Sequence, residues 1–577
     1  MIKRLANVFV PGQPLTRKLS FIDLFIIVAI IVALGVLVET AIYAPSVYRG
    51  PKVSLSPKML PFYAVLSITR MFLAYVLSII FTLIYGRAAA TTKIGQRLLL
   101  PILDILQSVP LLSFLPLVLL SLSVLLPQTL ALEISSIILI FTSQAWNLTF
   151  SWYQSLTTLP SDLKDTSAMF GFTTRQRFLH LEMSFAAVGL IWNSIMSWAG
   201  GWFFLMAAEM FTVGDKDFRL PGLGSYLREA ASSNNYQALV WGLFTVILII
   251  VLLDQLIWRP LLTWADKFKL SMIEEDPLNS WFLRMLQGST ILRVILNKCR
   301  KIYDRFSDKF LLRERGETKW AIEQVKVSSV VSLFWKVLVV LLVAVILWGL
   351  ARAYILLAMV KLQVWIKLLM GLLCSFLRVF LALVLALMWT LPVGILIGTN
   401  RKWAAWLQPI VQIAASVPAT ALFPVLLVFV LNFPMGTDIA AVLLMMMGTQ
   451  WYLLFNIIAG ASTIPQDMKY QSRLLQLGKW KNFRSLTLPA LGPYIITGAI
   501  TASGGAWNAS IVAEYTEFGG KTLSTKGIGA MIAQATAMGD YPELLSATLM
   551  LVLCVISINR FVWRRLYEHC EQRYHIE

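Results

Sequence analysis

Long apolar runs alternate with short polar ones along the whole chain. Residues 21 to 43, 62 to 86, 129 to 153 and 236 to 258 are predominantly apolar, and each supplies the roughly 20 residues a helix needs to cross about 30 Å of hydrocarbon. The runs are continuous and do not alternate with period two, so spanning helices are predicted and barrel strands are not. Two polar segments break the pattern. "LPSDLKDTSAMFGFTTRQRFLHLE" begins at Leu159 and "IPQDMKYQSRLLQLGKWKNFRSLTLP" at Ile464, each set between apolar runs.

These two segments belong to a larger duplication. "TRMFLAYVLSIIFTLIYG" from Thr69 aligns without a gap with "LRVFLALVLALMWTLPVG" from Leu377. Arg70 and Arg378, Gly86 and Gly394, Pro101 and Pro409, "SVP" at 108 and at 416, and Pro116 and Pro424 all share one offset, 308. After a connection three residues shorter, the offset settles at 305: Trp146 with Trp451, Pro160 with Pro465, Asp162 with Asp467, Lys164 with Lys469, Trp202 with Trp507, Glu209 with Glu514, "GLG" at 222 with "GIG" at 527, and Tyr236 with Tyr541. Two membrane domains in tandem are predicted, residues 1–258 and 328–577, joined by a charged linker at 259–327. Each reads as six spans. Both copies then start and finish on one side, in parallel, related by a pseudo-two-fold axis along the membrane normal.

Composition agrees: 58% of the 577 residues are hydrophobic and 14% charged, with a mean hydropathy of +0.73, outside the range of water-soluble globular chains. A net charge of +19 could point to nucleic acid, but the cations flank the apolar runs. Lys3, Arg4, Arg17 and Lys18 precede the first span; Arg87, Lys93 and Arg97 follow the second; Arg401 and Lys402 hold the matching turn. All fall on one side, which the positive-inside rule makes cytoplasmic, and no nucleic-acid role is expected. Arg49, Lys52 and Lys58 fall on the other side. The basic start and first apolar run read as a retained span, since no A-x-A site follows "AIYA" at 41. Four scattered cysteines and three histidines support neither a disulfide framework nor a metal site.

The polar segments have an anatomy of their own. Pro160 or Pro465 opens each, which suits a helix start, where a missing N–H costs nothing. Apolar Leu163, Met169 and Phe170, or Met468, Leu474 and Leu475, follow; then Gly171 or Gly478; then Arg175 and Arg177, or Lys479, Lys481 and Arg484. A short amphipathic helix held in the cytoplasm is predicted, ending at a glycine that permits positive φ. Docking three or four such side chains in a groove is worth roughly 1.5 to 3 kcal/mol each before ordering costs. The rival is a loop lying on headgroups; one copy per domain, at matched positions, favours docking.

The segment resembles the cytoplasmic coupling loop of bacterial ABC importer permeases, whose pattern is E-A-A, three residues, Gly, and about ten residues to I-x-L-P. The first copy reads Asp165-Thr166-Ser167, Gly171 and Leu179-His180-Leu181-Glu182; the second reads Ser472-Arg473-Leu474, Gly478 and Leu486-Thr487-Leu488-Pro489. Neither has the full triplet, the first lacks the closing proline, and the second has two extra residues before its glycine. "SVPLLSFLP", "SVPATALFP", the "AAE" and "VAE" ending the next long span, and the glycine pairs beyond are similar to the nitrate, sulfonate, taurine and bicarbonate importer permeases. The resemblance covers nearly everything except the linker and looks like the duplicated form associated with anion uptake.

It implies an all-α polytopic fold of two tandem six-helix type I permease domains in the bacterial cytoplasmic (inner) membrane, with both termini inside. It implies two separate ABC ATPase subunits carrying ATP and magnesium, an external solute-binding protein, periplasmic or lipid-anchored, and no catalysis or cofactor in this chain. Asp162, Leu163, Asp165, Met169, Phe170 and Gly171, with Asp467, Met468, Leu474, Leu475 and Gly478, would couple to the ATPases.

The path is expected at the proline-broken span of each copy, because interrupted helix hydrogen bonds at membrane depth are tolerated where protein or water meets the freed carbonyls. Pro110, Leu111, Phe114 and Pro116, with Pro418, Ala419, Phe423 and Pro424, are the gate candidates; a packing kink is the plain alternative. Arg70 and Arg378 are mates inside a span and stand as anion contacts, or else as snorkelling or structurally paired groups, the commoner fate of a buried cation. Glu209 and Glu514 read as capping or pairing groups. Asp104 and Asp254 face Gln412 and Asn559 at the matching positions, amides that carry no proton in turn, which weakens a proton relay. "GGKT" at 519 lacks the earlier glycine of a phosphate loop. The rival function is an ion-gradient-driven secondary transporter, which would not need two partner-seeking cytoplasmic helices.

Overall fold

A computed structural model describes residues 21–42, 50–265 and 347–570, except 92–94, 96–98, 101, 104–105, 108, 214–215, 465–467, 469–471, 473, 477, 519–520, 564 and 567–568. Asp104 and Asp467 therefore lie outside the described residues, as does the linker from 266 onward. The apolar runs form helices. In the first copy these are α1 (Phe21–Ile42), α2 (Leu60–Thr91), α3 (Leu115–Leu125), α4 (Gln128–Thr158), the short α5 (Ser161–Met169), α6 (Met183–Met210), α7 (Leu223–Ser232) and α8 (Tyr236–Leu253). The second copy has α9 (Leu347–Ala358), α10 (Leu362–Thr399), α11 (Arg401–Ser416), α12 (Ala419–Val430), α13 (Gly436–Thr463), α14 (Leu488–Glu514), α15 (Ile528–Met538) and α16 (Tyr541–Ile558).

The duplication extends to irregularities. A π-helical turn follows α8 at Asp254–Trp258 and α16 at Asn559–Trp563, and another leads into α6 at Arg177–Glu182 and into α14 at Phe483–Thr487. A short antiparallel hairpin follows each long helix: β1 (Thr212–Val213) with β2 (Lys216–Asp217), and β3 (Tyr515–Phe518) with β4 (Lys521–Ser524). Lys521 and Thr522 of "GGKT" thus lie on a strand, whereas a phosphate loop opens a helix.

Eight of the described helices are long and apolar enough to cross a membrane. At 11 and 12 residues, α3 and α12 reach only about 16–18 Å. The third crossing of each copy is therefore a broken one. In the second copy α11 stops at Ser416, Val417 and Pro418 are extended, and α12 begins at Ala419; the residue before a proline disfavours the helical region. In the first copy Pro110 caps a single 3-10 turn, Leu111–Ser113, before α3.

Between lipid-embedded helices close approach comes from small residues, because lipid tails are as apolar as leucine. On α2 the buried stripe is Ser67, Ala74, Ser78, Thr82 and Gly86, while Phe72, Leu73, Leu77, Ile80 and Ile84 face outward. A Cβ at Gly86 would stand 2.6 Å from Trp152 of α4, and one at its mate Gly394 would stand 2.6 Å from Ile457 of α13.

The halves interlock. A Cβ on Gly35 of α1 would stand 2.8 Å from the carbonyl of Gly349 on α9, Arg352 lies 3.5 Å from Glu39, and the Tyr541 hydroxyl of α16 donates to the Ala41 carbonyl at 2.8 Å.

Candidate functional site

The two polar segments between spans present apolar tips. Pro160 stands just before α5, Asp162 lies in its first turn, where helix N–H groups favour a carboxylate, and Gly171 closes it at φ +64°. Met169 and Phe170 at its end are 89% and 74% exposed; Leu163 is half-buried and Asp165 exposed. In the second copy Leu474 and Leu475 are 83% and 71% exposed, and Met468 is half-buried. There the left-handed position is Gln476, at φ +48°, and Gly478 has no positive φ; the two extra residues move the turn upstream of the glycine. Where the second copy has Pro489, Glu182 is 5% exposed, 3.5 Å from Arg87 and 3.4 Å from Arg177, which ties the segment's end to α2.

At the opposite end of the spans each copy carries the same ionic clasp. Arg70 is 3% exposed. Its Nε and Nη2 donate to Glu133 of α4 at 2.6 Å, and Nη1 donates to Glu209 at 2.8 Å and to the Pro221 carbonyl at 2.9 Å. Glu209, fully buried, also accepts from the Ser67 hydroxyl at 2.7 Å and from the Gly224 N–H at 2.8 Å. Arg378 repeats this with Asp438, Glu514 and the Lys526 carbonyl at 2.6, 3.0 and 3.0 Å, and Glu514 with Ser375 and Gly529 at 2.6 and 2.9 Å. The guanidinium groups of Arg70 and Arg378 are thus both engaged by protein carboxylates and carbonyls. Asp254 is likewise paired, with Arg259 at 3.2 Å.

Outside the spans the first copy has a cluster whose residues are Thr522, Ser524 and Gln534 at the matching positions of the second: Arg219 donates to Asp217 and Glu229, and these hydrogen bonds, that with Asp217 foremost, push its pKa up against its partial burial.

The glycine pairs follow from the clasp. A Cβ on Gly222 or Gly527 would lie within 2.3 Å or 2.1 Å of the glutamate carboxylate, so the carboxylate can sit on the start of α7 or α15 only against bare backbone. Sequence reasoning found the arginines and glutamates but missed Ser67, Ser375, Glu133 and Asp438. The signal was present, since Ser67 and Ser375 share the 308 offset and Glu133 and Asp438 the 305 offset.

The breaks touch the opposite half at matched points. The Leu112 N–H, beside Pro110, donates to Asn508 Oδ1 of α14 at 3.3 Å; the Thr420 hydroxyl, beside Pro418, donates to the Phe203 carbonyl of α6 at 3.4 Å. Leu112 is the mate of Thr420, and Phe203 of Asn508, so the two contacts are pseudo-symmetric.

Two cavities adjoin the breaks. One, about 80 Å³, lies between α6 of the first half and α11 to α14 of the second, and Pro418 and Ala419 line it. The other, about 280 Å³, is walled by α1, the first copy's break and α4, and Leu111 and Phe114 line it. Of the gate candidates, Pro418 and Ala419 thus face the other half, and Leu111 and Phe114 face α1. Pro116 falls in the first turn of α3 and removes no helix bond, Pro424 lies inside α12, and Phe423 is buried in the core.

Residues 78–257 and 390–576 both match the family described as the binding-protein-dependent transport system inner membrane component. Similar curated proteins include a bicarbonate transport system permease protein of Synechococcus elongatus, 33% identical over 30% of this chain and 59% of the relative. A nitrate import permease protein of Synechocystis is 28% identical over 30% and 59%, and a putative aliphatic sulfonates transport permease protein of Bacillus subtilis is 25% identical over 31% and 64%. Each match spans about three-fifths of the relative's length and about a third of this chain.

Proposed function

The chain belongs to the binding-protein-dependent transport system inner membrane component family, carrying its domain twice, and from that premise we propose that it supplies both permease halves of an ATP-driven importer of a small anion. In this reading the solute path runs between the two halves, two separate ABC ATPase subunits supply ATP and magnesium chemistry in the cytoplasm, and an external solute-binding protein delivers the solute. Relatives named for bicarbonate, nitrate and aliphatic sulfonates support the anion class.

One observation carries the coupling: the cytoplasmic segments end in bare apolar tips, Met169 with Phe170 and Leu474 with Leu475, each more than 70% exposed. Large apolar side chains exposed at matched positions call for a partner surface. When the ATPases close on ATP, tips seated in them would carry the motion through the π-helical turns into α6 and α14, and the halves would rock so that the path opens to one side at a time. The breaks at Pro110 and Pro418 are the natural points of flexure.

Phe170→Asp together with Leu475→Asp should abolish co-purification of the ATPase in detergent, since each buried side chain is worth roughly 1.5 to 3 kcal/mol; unchanged co-purification overturns the coupling role. Solute accumulation by the purified chain alone under an ion gradient would establish the secondary-transporter reading instead.

A further inference from the structure

The larger of the two cavities beside the breaks, about 280 Å³, is walled by residues of the first half alone, among them Ala33 and Leu34 of α1, Leu111 and Phe114 of the break, and Ile138 and Leu139 of α4. We propose that an acyl chain of a membrane phospholipid occupies it, entering sideways between α1 and α4. The proposal needs only that these helices span a bilayer, so it goes beyond the importer reading and does not rest on it.

Water is the first occupant to weigh. A buried water needs two to four polar partners, and the polar groups of the wall are already engaged. The Ser135 hydroxyl donates to the Ala131 carbonyl at 2.7 Å, and the Thr142 hydroxyl is shared between the Ile138 and Leu139 carbonyls at 2.9 Å each. At the break the Leu106, Pro110 and Leu111 carbonyls accept from the Val109, Ser113 and Phe114 N–H groups at 3.3, 3.2 and 3.1 Å. The Trp146 indole nitrogen is itself buried and shows the cavity no donor. An ion fares worse: no Lys, Arg, His, Asp or Glu lines the cavity, and a charge taken out of water without a partner is costly.

A dry void forfeits dispersion contacts on every wall, and where it opens decides what can restore them. Ala33 is exposed and Ile138 is 38% exposed, which places both at a mouth on the surface of the bundle. Ile138 lies ten residues into α4, and Ala33 nine residues before the end of α1. At about 1.5 Å per residue these positions are about 15 and 14 Å along their helices, the middle of about 30 Å of hydrocarbon. Acyl chains are what surround the protein at that depth. With about 280 Å³, the cavity is about twice the size of an apolar cavity of roughly 150 Å³ that takes up benzene. It has room for on the order of ten carbons, the end of a lipid chain.

The break supplies the room. Pro110 is extended and only one 3-10 turn separates it from α3, so this crossing lacks the unbroken row of side chains that a full helix would lay between α1 and α4. The repeat does not copy the wall. Ala419 and Met447, the mates of Leu111 and Thr142, line the cavity between the halves instead, and Met447 is longer and less polar than Thr142.

The test uses the full chain in nanodiscs of phosphatidylethanolamine and phosphatidylglycerol, doped with a phosphatidylcholine that carries a diazirine near the end of one acyl chain. After illumination, digestion and mass spectrometry, we expect adducts on the cavity residues of α1 and α4 several-fold above those on Phe72, Leu77 and Ile80, the outward face of α2. Thr142→Met, which borrows the side chain of its mate, and Ala33→Phe, which closes the mouth, should each cut the cavity adducts about fivefold or more, as excluding one or two methylenes would. The α2 adducts should not change. Neither position is fully buried; gel filtration checks that the variants fold, and either one alone carries the result. Cavity adducts no more frequent than those on α2, or unchanged in a folded variant, overturn the proposal. Walls that take no adduct also overturn it, since a segment of the chain itself would then fill the space.

Discussion

A guanidinium some ten residues inside a span is tolerable only if its donors are met, and Arg70 meets four hydrogen bonds while keeping 3% of its surface exposed. Truncating one member of such a cluster strands the others, so Arg70→Ala should cost about 3–5 kcal/mol and lower the melting temperature. Arg378→Ala should cost less, because its side chain is 12% exposed against 3% for Arg70. Neither substitution should change the half-saturation of uptake in the molecules that still fold; a selective rise in that value would restore the anion contact. The arginines were legible from the repeat as mates, and the expectation of a structural pair was the physically cheaper one. Their partners were harder to read: Asp438 sits in the first turn of α13, where an acid needs no special explanation, Glu133 sits in the second turn of α4, and only the shared offset marks them as mates.

At the scale of elements, the clasp fixes how α7 and α15 begin. Gly527 has an extended backbone, φ −164°, open to any residue, so its glycine is needed for space and not for conformation. A Cβ there would stand 2.1 Å from Glu514, and Gly527→Ala should destabilise by about 1–3 kcal/mol, as overpacking does. Gly504→Ala is the control: nothing lies within 4 Å of its added carbon, and a gain in helix propensity of up to about 1 kcal/mol is expected. Thermal melting of the two variants should move in opposite directions. The apolar tips were visible in sequence because apolar side chains beside a glycine in a polar segment break the pattern of both membrane and water. The turn geometry was not: Gly171 takes the left-handed conformation, while in the second copy Gln476 takes it and Gly478 does not. Spacing alone does not say which of two nearby residues will bend.

For the whole molecule, tandem duplication was fully written in the offsets, whereas the way the halves grip one another was not, since packing between helices of different copies leaves no periodic trace. The grip has specific points: Gly35 on Gly349, Glu39 with Arg352, the Tyr541 hydroxyl on Ala41, and the reciprocal bonds of Leu112 and Thr420. These lie on membrane helices and owe nothing to the connecting residues 266–346. Cleaving a protease site inserted within 266–346 should therefore leave the two halves together, with a tag on the first retaining the second in mild detergent and ATP-driven uptake preserved. Gly35→Leu should undo this, because its Cβ would meet the Gly349 carbonyl at 2.8 Å, a backbone atom that cannot yield as a side chain tip does. Dissociation of the cleaved wild-type chain would mean instead that covalent linkage holds the halves together, and that the reciprocal contacts orient the pair without securing it.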